Sequence, residues 1–466
     1  MNNLIEWDGD FLQRRKYALF LTNYLENKNT SEVININGPW GSGKTFFLQK
    51  WFDDIKETHP AVYFNAWQND YSNEPLISLI SCLISHLISL DDNIKHKQAS
   101  KNFLKKSGDI IRKLSPTIVK GILKKYIGEN GLSELSKIGE ETEDTLTDLS
   151  SELTEALIKS HEQTTAVIED FKKSISSLLD ELTKSKNLKK PLFIFIDELD
   201  RCRPIFAIDL LEKIKHIFDI DNVIFVIATD TTQLSHSVKA IYGHEFNGEI
   251  YLRRFFDQIY TLPKPDSVSF ITMLFSDYKQ IANYFQYRVN ASGGSHHHGK
   301  NTKTLVCLQN TNSEKILIFS LFSNSFGLDL RTCKQCFERF KAIESSFLDK
   351  TVDVHFDFLI FLIMLDAKYP SHFEKFFSDR NNQDILNEIG SAKYNIRVYT
   401  NYYTAAELIN IYIQNLFISH EEVRNYLNSL DYDSNEFKIN LISSLITNFK
   451  SILQYQNIVK MANALE

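Results

Sequence analysis

Three carboxylates, Asp197, Glu198 and Asp200, close the stretch PLFIFIDELDRCRP, and Arg201 and Arg203 follow at once. Like charges this close repel and each is costly to desolvate, so a cation belongs among them or one of them does chemistry. A second stretch supplies a reason. GPWGSGKT, Gly38 to Thr45, has the spacing G-x-x-x-x-G-K-[ST], follows the apolar run EVININ and opens the helical run KTFFLQKWFDDI. Such a loop turns its backbone N–H groups inward, here through Gly41 and Gly43, and adds them to a helix N-terminus, which makes a cradle for phosphate. Lys44 would reach the β- and γ-phosphates of a nucleotide, and the Thr45 hydroxyl would hold Mg²⁺. Gly38, Pro39, Trp40, Gly41, Ser42, Gly43, Lys44 and Thr45 are thus the candidate nucleotide-binding set.

Beside a phosphate loop, an apolar strand ending in an acid reads as the metal-holding strand, so Asp197 would hold Mg²⁺, often through water. Glu198 would orient and activate a water molecule. Asp200 is the weaker candidate for that base and reads better as structural. Without the loop, the cluster would read as an acidic helix N-terminus paired with Arg201 and Arg203.

Other positions carry two readings. Thr229 and Asp230 end the apolar run NVIFVIATD and could sense a γ-phosphate. Asp230 or Thr231 would equally cap the helix that follows. Arg253 and Arg254, in YLRRFFDQIYTLPKP, could reach a neighbouring subunit's γ-phosphate. They could also be cations at a helix C-terminus. Arg331, near the start of a later helix, could fold back onto the phosphates.

These residues need a scaffold. EVININ, AVYFNAW, PLFIFID, VIFVIATD and QIYTLPKP are continuous apolar runs separated by helical stretches, which predicts a parallel α/β sheet covered on both faces. More than a hundred residues separate the second run from the third. From Leu146, positions Leu149, Leu153, Leu157, Val167, Phe171, Ile175, Leu178 and Leu182 keep a spacing of three and four. Ser160 and Thr164 interrupt it. This predicts an amphipathic helix of roughly 60 Å at ~1.5 Å per residue. The insertion is expected to stand outside the sheet as a helical appendage for a partner or another subunit, its interrupted stripe suiting a short coiled coil. The preceding basic stretch, NFLKKSGDIIRKLSPTIVKGILKKYIG, could touch a membrane surface or nucleic acid, but covering its own apolar face on the long helix is the simpler reading.

The expected organisation is a sheet domain in two halves, 1–97 and 188–265, a helical insertion 98–187, a helical lid 266–350 and a helical C-terminal domain 351–466. Net charge is −7, which offers no bulk attraction to nucleic acid. No run is long and apolar enough to span a bilayer: PLISLISCLISHLISL and FDFLIFLIML read as buried helices. MNNLIEWDGDFLQRR lacks a secretory apolar core. Five cysteines, Cys333 and Cys336 in CxxC spacing among them, show no disulfide framework. His296, His297 and His298 lie in a loop and share no face for a metal. The expected location is the cytoplasm.

GPWGSGKT, FNAW, FIDELDRC and YLRRFFDQIYTLPKP, in that order between about Asp8 and Phe340, resemble the KAP family of P-loop NTPases within the AAA+/STAND group. The resemblance implies a five-stranded parallel sheet of order 5-1-4-3-2 with a helical lid, and ATP with Mg²⁺ as ligands. It assigns Lys44 and Thr45 to phosphate and metal, Asp197 to the metal, and Glu198 to catalysis. It makes Arg253 or Arg254 the trans-acting arginine and Arg331 the lid sensor. Many members carry transmembrane helices between the phosphate loop and the metal strand; here that insertion is charged. Prokaryotic members often serve in antiphage defence beside partner effectors. The function expected is a self-associating Mg²⁺-dependent ATPase controlling a protein effector encoded nearby. A nucleotide-gated scaffold with little hydrolysis and a nucleic-acid-stimulated motor are the alternatives.

Overall fold

The computed structural model describes residues 7–72, 74–90, 97–114, 151–263, 266–282, 284, 303–304, 312–346, 354–378, 382–390, 394–398, 401–416 and 418–463. They form two compact units, Met1–Pro263 and Lys264–Glu466.

The first unit is a parallel sheet. In chain order its elements are α1 (Arg15–Leu25), β1 (Glu32–Asn37), α2 (Lys44–Ile55), β2 (Ala61–Asn65), α3 (Pro75–Ser89), α4 (Gln98–Leu114), α5 (Ser151–Lys186), β3 (Leu192–Asp197), α6 (Pro204–Ile217), β4 (Val223–Thr229), α7 (Thr231–Tyr242), α8 (Gly248–Leu252) and β5 (Gln258–Thr261). The strands lie in the order β2-β3-β4-β1-β5, which read from the other edge is the expected 5-1-4-3-2. Alternate residues of each strand face opposite sides. Ile34, Ile36, Phe193, Phe195 and Val226 pack with Phe47 and Trp51 of α2. Val33, Phe64, Ile194, Ile196 and Phe225 pack with the helices of the other side.

The insertion does not stand apart from this core. Phe103, Ile110 and Ile111 of α4 and Phe171, Ile175, Leu178, Leu179 and Leu182 of α5 are buried in the same cluster as the strands. Rings link them to the sheet: Phe103 to Phe171 at 6.2 Å, Phe171 to Phe218 at 5.7 Å, and Phe218 to Phe225 of β4 at 5.6 Å. The apolar stripe of α5 packs chiefly on α4, as the simpler reading had it, and joins the sheet's core through Phe218, so the expectation of an external appendage is corrected for this half of the insertion. Leu146, Leu149 and residues 115–150 of the basic stretch lie outside the described residues, as do the side chains of Leu153, Leu157 and Ser160.

The second unit is mainly helical: α9 (Ser267–Leu274), α10 (Ser313–Ser325), α11 (Leu330–Ser346), α12 (Phe356–Lys368), α13 (Pro370–Lys375), α14 (Gln383–Gly390), α15 (Ala405–Leu416), α16 (His420–Ser429), α17 (Tyr432–Ile452) and α18 (Tyr455–Asn463). It also holds a small sheet that its helical reading did not include. β6 (Lys303–Thr304) runs parallel to β7 (Tyr394–Val398), and β7 pairs antiparallel with β8 (Asn401–Thr404). Helix α12, FDFLIFLIML, is buried all round. Among the described residues no helix is long and apolar enough to cross a membrane. Cys82, Cys202, Cys333 and Cys336 are free thiols, with Cys82 and Cys333 pushed up to about 12 by burial. Cys307 and His296 to His298 lie outside the described residues.

Candidate nucleotide-binding site

The loop Gly38–Thr45 joins the end of β1 to the start of α2. Gly41 and Gly43 have φ of +74° and +86°, a region that a side chain disfavours. A Cβ on Gly38 would lie 2.8 Å from Ser42 Oγ, so the loop closes tightly on itself there. The Ser42 hydroxyl is buried and has no hydrogen-bond partner among the described residues. Lys44 is buried; its Nζ donates to the carbonyls of Gly38 at 2.7 Å and Pro39 at 3.3 Å and lies 3.8 Å from Asp200 Oδ2. Burial pushes its pKa down, against the pull of Asp200, Asp230 and Asp197. A buried ammonium resting on carbonyls gains by meeting an anion.

Asp197 ends β3, beside that loop. Its Oδ2 accepts from Tyr63 Oη at 2.7 Å and its Oδ1 from the Glu198 backbone N–H at 2.9 Å. Burial raises its pKa, and hydrogen bonds from Tyr63, Thr45 and the Glu198 amide oppose the rise. The Thr45 hydroxyl and the Asp197 carboxylate are thus neighbours, two hard oxygen donors of the kind Mg²⁺ takes. Among the described residues no group of three or more His, Cys, Asp or Glu is placed to hold a metal.

Glu198 occupies the left-handed region at φ +60°. Its Oε1 lies 2.8 Å from Arg201 Nη1, and its Oε2 accepts from Asn65 Nδ2 at 3.1 Å. Arg201 in turn lies over the Trp67 ring at 5.7 Å. Asp200 is tied into the frame: its Oδ2 accepts from Trp40 Nε1 and from the Asp230 backbone N–H, both at 2.8 Å. It therefore braces the loop and the end of β4.

Thr229 donates to Asn35 Oδ1 at 2.9 Å and is fully buried. Asp230 caps α7, accepting from the backbone N–H groups of Thr232 and Gln233 at 3.1 and 3.2 Å. Arg253 and Arg254 are exposed at the end of α8, with no side-chain hydrogen bond or ion pair among the described residues. Arg253 lines a pocket with Asn37, Thr231, Thr232, Glu249 and Ile259. Arg331 is exposed near the start of α11, in the second unit. Sequence reasoning passed over Tyr63 and Asn65 as site residues. Both sit on β2, and Asn65 is in register with Asp197. Their two-residue spacing puts them on one face of that strand.

Sheet order, phosphate loop and the acid ending β3 define a P-loop NTPase. The KAP family P-loop domain matches residues 14–357, and the chain belongs to that family. No curated protein matches the chain. Among solved structures, one titled "Structure of C. elegans PCH-2" is similar at 13% identity and a TM-score of 0.30, covering 80% of this chain and 71% of that one.

Proposed function

We propose that this chain is a Mg²⁺-dependent ATPase that self-associates and uses its nucleotide cycle to control a partner protein. The observation that carries the reading is the Lys44 ammonium buried in the phosphate loop with the Asp197 carboxylate beside Thr45, Glu198 following Asp197 in the chain. Lys44 would exchange the carbonyls of Gly38 and Pro39 for phosphate oxygens. Thr45 and Asp197 would hold Mg²⁺, which when bound neutralises charge on the terminal phosphates. Glu198 would take the proton of the attacking water. Arg253 or Arg254 of a neighbouring copy would meet the charge that develops on the phosphoryl group, and Arg331 would sense it. A setting in antiphage defence and an effector encoded nearby rest on the family resemblance, and a cytoplasmic location on the cysteine usage.

A nucleotide-gated scaffold is the second reading, favoured by one observation: donors hold both oxygens of Glu198. Equilibrium binding of a labelled ATP analogue, beside single-turnover phosphate release with and without DNA or RNA, separates the readings. Lys44→Ala is expected to lose tight ATP binding. Glu198→Gln is expected to keep binding and lose hydrolysis. A Gln variant that turns over at the parental rate shows that the base is another group. A parental protein that binds ATP and releases no phosphate favours the scaffold.

A further inference from the structure

The segment before α1 is anchored beneath the phosphate loop. Asp54 of α2 accepts from Trp7 Nε1 at 2.7 Å and from Arg15 Nε at 2.9 Å. Trp7 packs edge-on against Phe46 and Phe47. Asp10 accepts from the backbone N–H groups of Arg14 and Arg15 at 2.7 and 2.8 Å. Between these ties lies Arg14, only 2% exposed.

Its guanidinium touches the loop. Arg14 Nη1 donates to the Gly43 carbonyl at 3.2 Å and lies 2.7 Å from where a Cβ on Gly43 would sit. Nη2 is buried with no partner among the described residues. Burial pushes its pKa down, with Asp10 as the chief opposing charge. A guanidinium stays protonated in a protein, so an incompletely paired positive charge sits under the loop. Burying such a charge is costly unless something answers it.

We infer that Arg14 is a positioning residue for nucleotide phosphate, acting from behind the loop. The Gly43 carbonyl and the Lys44 N–H belong to one planar trans peptide and point in opposite directions. Holding the carbonyl at the rear therefore turns the Lys44 N–H to the front, where phosphate binds. The Phe47 backbone N–H shares that carbonyl at 3.1 Å, as the first bond of the helix. The charge of Arg14 adds to the field of the helix N-terminus. An anion on the loop supplies the missing compensation. The inference rests on nucleotide binding at this loop.

The test is ATP titration calorimetry and steady-state hydrolysis with Mg²⁺ on the full chain, for the parent, Arg14→Met, Arg14→Lys and Lys44→Ala. Arg14→Met is expected to weaken ATP binding roughly 10–100-fold, the range for losing a hydrogen bond from a charged donor. Its KM should rise while kcat at saturation stays within about twofold, since the reacting groups are untouched. Arg14→Lys keeps the charge and loses the planar fork, so its loss should be intermediate. Damage to folding alone would lower the active fraction, and so kcat, at unchanged KM, and would overturn the inference. So would Arg14→Met binding ATP as the parent does. If Arg14→Met does not fold, Arg14→Lys decides: affinity equal to the parent's overturns the inference. A parent that binds no nucleotide removes the reading beneath it, whereas loss in Lys44→Ala with no loss in the Arg14 variants removes this inference alone.

Discussion

Glu198 is held at both oxygens and at its backbone. Its left-handed φ costs an L-residue about 1–2 kcal/mol, a strain tolerated where the surroundings over-determine the turn. Asn65 and Arg201 fix the carboxylate between them. Asn65→Ala should therefore lower kcat on the order of tenfold, with KM for ATP unchanged, because it loosens the base and not the phosphate cradle. An equal fall in affinity would instead assign Asn65 to nucleotide binding. Asp230 makes the opposite case. Its carboxylate is engaged in capping α7, so Asp230→Ala should cost about 1 kcal/mol of stability and leave ATP affinity unchanged. Urea unfolding and calorimetry on one variant decide between cap and sensor. The phosphate-loop residues were legible because their spacing is itself the mechanism. Tyr63 and Asn65 were not, because their importance comes from the register of β2 against β3, which no local pattern encodes.

At the scale of elements, α5 shows where sequence reasoning stops. A stripe at spacing three and four establishes a helix with one apolar face. What covers that face is a tertiary fact, and here the cover is α4 and, through Phe218, the core of the sheet. Phe171→Ala should thus destabilise the first unit by about 3–5 kcal/mol, and replacing 98–187 with a linker should abolish folding. Soluble linker protein that still binds ATP would restore the appendage. The β7–β8 hairpin was missed for a related reason. Ile396 and Val398 alternate inward along YNIRV, but so short a run among helices is weak evidence for a strand. Helix α12 begins beside His355, buried between Tyr412 Oη at 2.9 Å and Ser444 Oγ at 3.0 Å. Burial holds His355 down to about 3, against 6.5 unperturbed. The unfolded chain takes the extra proton, so this contribution is complete above about pH 6.5 and is lost as pH falls towards 3. The second unit should weaken by roughly 1.4 kcal/mol per pH unit on that slope. Melting curves at pH 7 and pH 5 should diverge less in His355→Gln; equal divergence would place the acid sensitivity elsewhere.

For the whole molecule, the open question is whether one chain makes a complete site. Arg253 and Arg254 are exposed and have no side-chain partner among the described residues, as cations meant for another copy would be. A trans arginine is worth about 10³–10⁵ in rate, so activity per subunit should climb steeply with protein concentration. Arg253→Ala or Arg254→Ala should lower it and spare ATP affinity. Mixing either with Lys44→Ala should restore part of the activity, since one interface then carries both intact parts. Flat activity on dilution, with no rescue on mixing, would return the arginines to their local role at the end of α8. The five apolar runs made a parallel sheet legible at this scale, while the order of its strands came only with the family resemblance, since pairing between distant segments leaves no local pattern.

The placement of the indoles has an optical consequence. Of the four tryptophans, Trp7 and Trp51 are buried, while Trp40 is 48% and Trp67 53% exposed. Trp40 belongs to the phosphate loop and donates to Asp200, and Trp67 lies under the guanidinium that holds Glu198. Indole emission shifts with hydration and nearby charge, so the two exposed rings are built-in fluorophores at two separate places in the site. Trp40→Phe should remove the emission change at the phosphate loop on nucleotide arrival, and Trp67→Phe the change that reaches the Arg201–Glu198 pair. Stopped-flow traces of the two variants would then time the loop and the Arg201–Glu198 pair separately in one unlabelled protein.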